Sequence, residues 1–132
     1  IMDLEKLFKN LIIGNGVLLI VAIIAGINMP EELFEIQLTV ESKFQSTQFA
    51  MVAGLLTLVA HLVCLVLLYR YVSVGKNLYV IVIVAGTILD LAGGAYVFHA
   101  FTLTVISIYS LITGAILTLL FFSPIKDKFI QK

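Results

Sequence analysis

Charge is what this chain has least of. Asp, Glu, Lys and Arg make up 12% of its 132 residues and hydrophobic residues 61%, against ~25% charged and ~45–50% apolar in soluble domains. Eight basic and eight acidic residues cancel to a formal charge of zero, so no bulk field draws the chain to nucleic acid or to anionic surfaces. Cysteine occurs once, at Cys64, which excludes an internal disulfide and a Cys-x-x-Cys redox pair. Tryptophan is absent, leaving any interfacial aromatic belt to Tyr and Phe. None of Asn10, Asn15, Asn28 and Asn77 has a Ser or Thr two positions on, so no N-glycosylation sequon exists.

Long apolar runs fill the space that charge leaves. They cover roughly 11–27, 49–72, 78–98 and 101–123; only Asp90 carries charge well inside one, and Arg70 sits at an end. A bilayer core ~30 Å thick takes ~20 apolar residues of helix to cross. The expected fold is therefore an all-α membrane protein, an antiparallel bundle of four transmembrane helices forming a single domain over 1–132. Lys6 and Lys9 ahead of the first run resemble a signal peptide, but the run exceeds the usual ~7–15-residue apolar region and is taken as a span.

Seven of the eight basic residues fall on one side of this layout: Lys6, Lys9, Arg70, Lys76, Lys126, Lys128 and Lys132. Cations resist translocation, so that side is expected to be cytoplasmic, with both termini inside. Lys43 lies on the other side, in a 28–48 loop rich in glutamate. The predicted location is a bacterial inner membrane. Tyr69, Tyr71 and Tyr79 fall at the predicted inner border and Ser73–Asn77 at the turn between spans two and three.

The outer loop is predicted to be partly helical. Pro30 followed by Glu31 and Glu32 is a helix start, and the second span is expected to extend back toward Glu41. Leu33, Phe34, Ile36 and Leu38 make the loop more apolar than a solvated linker, as a surface helix or a partner-docking face would be.

Each span carries small or polar residues at helical spacing, including Asn15 between two glycines, Thr57 and His61, Gly86 and Asp90 with Gly94, and Ser110 with Gly114. Such stripes let membrane helices approach closely. An ionisable residue at mid-bilayer costs ~2.5–3.5 kcal/mol on insertion scales, so Asp90 invites a functional reading. With the turn centred near 74–75, Asp90 falls within roughly 3 Å of the depth of His61. Counting from a turn near Ala100 brings Ser110 to the depth of Asp90. The candidate polar site is thus Asp90, His61, Ser110, Thr57 and Thr113. Asp90 there is either a neutral hydrogen-bond donor or shares a proton with His61. His99 lies roughly 16 Å from that level, which excludes one haem bridging both histidines. No metal site, cofactor or catalytic motif is expected, and the chain is not expected to be an enzyme.

Two functions fit. One is a non-enzymatic partner-binding, accessory or assembly subunit, with membrane lipid and another membrane protein, or a second copy, as partners. The other is a homo-oligomeric proton- or ion-coupled transporter or channel using Asp90 and His61.

Overall fold

Short polar caps set the start of three of the four long helices, Asp3, Thr47 and His99 each accepting from a first-turn N–H. The computed structural model describes residues 3–40, 47–94 and 96–129, and these are helical in five α-helices and one 3-10 helix. Four of the helices are long and apolar enough to cross a membrane.

Helix α1 (Leu4–Ile27) starts earlier than its apolar run because Asp3 caps it, accepting from the backbone N–H of Glu5 at 3.0 Å and of Lys6 at 3.3 Å. Its last free carbonyl, Ile24 O, receives both the backbone and the side-chain N–H of Asn28. Pro30 then opens α2 (Glu31–Val40), its carbonyl taking the N–H groups of Leu33 and Phe34, with Glu31 and Glu32 in the positive first turn. The expected helix in the outer loop is therefore present. The extension toward Glu41 lies outside the described residues; α3 (Gln48–Tyr69) begins under Thr47, whose hydroxyl accepts from Ala50 N–H at 3.2 Å.

The turn after α3 departs from the sequence expectation. Val72 N–H bonds Leu67 O and Tyr71 N–H bonds Leu68 O, the paired bonds of a Schellman motif. The residue that must then turn left-handed is Tyr71, at φ 56°, where glycine is usual because a Cβ costs ~1–2 kcal/mol. The Tyr71 ring offsets that cost, stacking on Phe8 at 5.9 Å and meeting Phe129 edge-on at 5.4 Å. So tight a turn lets α4 (Ser73–Gly93) begin at once, about five residues before the predicted span. Ser73–Asn77 is helix, and Gly75 in its first turn is buried against the end of α3.

Helix α5 (Ala100–Phe122) is capped by His99, whose Nδ1 accepts from Phe101 N–H at 3.3 Å. Ser123 ends it, and Pro124–Phe129 continues as 3-10 helix. The helices pack mainly as two pairs, α3 with α4 and α1 with α5, joined through α1 and α3; α4 and α5 scarcely touch. Partners within each pair run in opposite directions: Asn15 meets Thr113 while Phe8 meets Phe129, and the Schellman turn reverses α3 into α4.

Burial is lopsided. Phe8, Leu68, Tyr79, Leu120, Ile125 and Phe129 belong to one buried cluster, drawn from the start of α1 and α4, the end of α3 and α5, and the 3-10 helix. Among the described residues toward the other end only Gly93, Thr102 and Val105 are buried, and cavities open between the helices. One end is sealed and the other is loose.

Candidate functional site

Where the sealed half gives way to the loose half, polar side chains from three helices meet. Asn15 of α1 is fully buried and donates from Nδ2 to the Thr113 hydroxyl of α5 at 2.9 Å. That fixes its carbonyl oxygen toward α3, 3.0 Å from His61 Nε2. An amide oxygen only accepts, so this contact is a hydrogen bond in the tautomer that carries its proton on Nε2. The Tyr109 hydroxyl of α5 lies 3.1 Å from the same nitrogen. From α4 the Tyr79 ring packs 5.5 Å from the imidazole, and its buried hydroxyl finds no partner among the described residues.

This node forms the floor of a cavity of about 440 Å³ between the two helix pairs, lined by Thr57, His61, Asp90, Tyr109, Ser110 and Thr113 among others. All five residues of the predicted polar site thus line one space. They do not share one level, however, and no hydrogen bond joins Asp90 to His61. Thr57 lies across from Gly86, where an added Cβ would stand 3.7 Å from the threonine methyl. The same register sets Val82 opposite His61, leaving Asp90 eight residues further along α4, about 12 Å away rather than 3. The early start of α4 produces this shift. On α5 the correction is similar, because residues 96–99 are non-helical and lengthen the connection. Ser110 consequently adjoins Tyr109 at the level of His61 and not that of Asp90.

Asp90 makes no hydrogen bond to any described residue. Its carboxyl opens both on the 440 Å³ cavity and on a second of about 250 Å³, lined by Ala50, Gly54, Gly93 and Tyr96. Tyr96 lies against Gly93, where a Cβ would stand 2.1 Å from the phenolic oxygen. Burial, and after it the charge of Asp90, pushes the Tyr96 phenol above its ordinary pKa.

Three of the hydroxyls around the cavity are turned in one sense. Thr57 donates to Ala53 O, Thr87 to Ile83 O and Ser110 to Ile106 O, each at 2.8–2.9 Å on its own helix. Their protons are spent on backbone, so they present lone pairs. A carboxyl among acceptor oxygens is a setting for a proton, a small cation or an ammonium group, not for an anion. No group of three or more His, Cys, Asp or Glu side chains is placed to hold a metal ion among the described residues.

Two partners of His61 were missed in the sequence. Asn15, mid-span between Gly14 and Gly16, reads in the sequence as part of a packing stripe. Tyr109 lies mid-span too, unlike the interfacial tyrosines, and that position was its clue. In the loop candidate, Leu33 is half-buried while Phe34, Ile36 and Leu38 are about half exposed. Helix α2 is tied to the rest of the chain by Gln37, whose Oε1 accepts from Val97 N–H at 2.7 Å.

Comparison with protein-family models, curated proteins and solved structures finds no match.

Proposed function

We propose that this chain is an integral membrane protein, an antiparallel bundle of four transmembrane helices with both termini in the cytoplasm of a bacterial inner membrane. In this reading it acts as a homo-oligomeric carrier of protons or small cations. The observation that carries it is Asp90: a carboxyl without a hydrogen-bond partner among the described residues, facing a cavity into which Thr57, Thr87 and Ser110 turn acceptor oxygens. Asp90 stands three residues before the end of α4 with its side chain exposed, so it serves nothing in packing, although an ionisable residue inside a span is costly. Four helices are too few to enclose a path alone, which is why copies are required. Reconstitution into vesicles holding a pH-sensitive dye tests the reading. The native chain dissipates an imposed pH gradient, and Asp90→Asn falls to the level of protein-free vesicles. Equal flux from the two proteins defeats the proposal.

A second reading, a partner-binding accessory subunit, is favoured by the exposed Phe34, Ile36 and Leu38 on α2. It makes the opposite forecast: Asp90→Asn retains function, and a charge introduced at Phe34 destroys it.

A further inference from the structure

An apolar groove of about 390 Å³ lies between α1 and α3, floored by Gly16 and walled by Ile13, Val17, Leu62 and Val66. Glycine makes the room, since a Cβ on Gly16 would already lie 3.5 Å from the Leu65 methyl. The groove follows α1 from Ile12 to Ile20 and α3 from Leu62 to Arg70. Eight residues of rise give it a length of about 12 Å, within one leaflet of a ~30 Å core.

One end of this hydrocarbon groove is cationic. Arg70, the only arginine in the chain, lines it beside Tyr69, and its guanidinium makes no hydrogen bond or ion pair with a described residue. The Lys9 ammonium stands 5.3 Å over the Tyr69 ring and 5.5 Å over that of Tyr71, again without a carboxylate. The carboxylate one turn away, Glu5, is taken by Lys128. Two uncompensated cations thus flank the mouth of a cleft whose walls are apolar.

We propose that this groove binds an anionic phospholipid, with an acyl chain along Gly16 and the phosphate held between Arg70 and Lys9. The proposal rests on the membrane reading above. A guanidinium grips phosphate through paired N–H bonds, and basic pockets between membrane helices on the cytoplasmic side suit acidic headgroups. A zwitterionic lipid offers the same phosphate but brings its own headgroup cation up against Arg70 and Lys9, which repel it.

Native mass spectrometry of the full chain, loaded with equimolar phosphatidylglycerol and phosphatidylcholine, provides the test. One phosphatidylglycerol is expected to remain bound in preference to phosphatidylcholine. Arg70→Gln and Lys9→Gln are each expected to weaken retention about five-fold, the effect of one cation at an anionic surface. Gly16→Leu should displace the lipid with both cations still present. Equal retention of the two lipids, unchanged retention in all three variants, or a dimer whose copies cover the groove without lipid overturns the proposal. Carbonate extraction of native membranes separates the two levels. A chain that washes off defeats the membrane reading, whereas an embedded chain with no preference for phosphatidylglycerol defeats only the lipid site.

Discussion

Replacing Gly75 by alanine tests the register on which the position of Asp90 depends. A Cβ there would meet the Leu67 Cβ at 2.7 Å, with the Leu67 carbonyl carbon at 3.2 Å and the Leu68 nitrogen at 3.3 Å, whereas ordinary contact begins near 3.4 Å. Two of these three atoms are backbone, so no rotamer change relieves the clash, and α4 must move away from α3. Overpacking of this kind costs about 1–3 kcal/mol, and the better helix propensity of alanine returns at most about 1 kcal/mol. The net loss is about 1–2 kcal/mol. At roughly 3–5 °C per kcal/mol for a chain of this size, the Tm should fall by roughly 3–10 °C. Gly86→Ala is the control: its Cβ lands 3.7 Å from the Thr57 methyl in ordinary contact, and the variant should be as stable as the native chain or more so. Melting followed by circular dichroism in mild detergent measures both. A native-like Tm for Gly75→Ala, or equal damage at Gly86, refutes the register and with it the 12 Å between His61 and Asp90.

Asn15→Leu removes two buried hydrogen bonds, to Thr113 and His61, each worth about 0.6–2 kcal/mol between membrane helices. A loss of about 1–3 kcal/mol is expected in the same melt, and a double-mutant cycle with His61→Leu should be non-additive; simple additivity would show that the pair is not coupled. Tyr71→Phe deletes a buried hydroxyl that has no partner among the described residues, so at neutral pH it should leave stability unchanged or raise it by about 1 kcal/mol. Burial, then the carboxylates of Glu5 and Asp3, holds the Tyr71 phenol above its ordinary pKa. The unfolded chain therefore releases this proton before the folded one does, and the stability it contributes is present below the ordinary tyrosine pKa and lost as pH rises past it. Tyr71→Phe should flatten that alkaline decline; an unchanged slope would exclude Tyr71 as its source.

Much of this architecture is legible in residue types. The number of span-length helices follows from apolar runs separated by polar ones, and α2 from Pro30 and two glutamates, because both depend on local composition. Depth was not legible, since it hangs on where a turn is centred. The sequence offers Gly75 as the obvious turn residue. The chain instead turns at Tyr71, in a conformation its side chain disfavours, because Phe8 and Phe129 hold the ring. Those partners lie more than fifty residues away along the chain and leave no local trace. The same limit hid the true partners of His61. Polar residues at helical spacing narrowed the candidates to one cavity, but only the packing of α1 against α3 and α5 selects Asn15 and Tyr109 over Asp90.

The uneven burial also gives the molecule a mechanical character. With the aromatic cluster acting as a pivot, the α3–α4 and α1–α5 pairs are the two arms of a pair of tweezers. From the level of Leu68 to that of Met51 each arm is about 26 Å long, so a swing of only 5° would shift its tip by about 2 Å. The bonds from His61 to Asn15 and Tyr109 cross from one arm to the other near the pivot, where leverage is least. Asp90, on the longer reach, would see its surroundings widen or narrow while those bonds stayed intact.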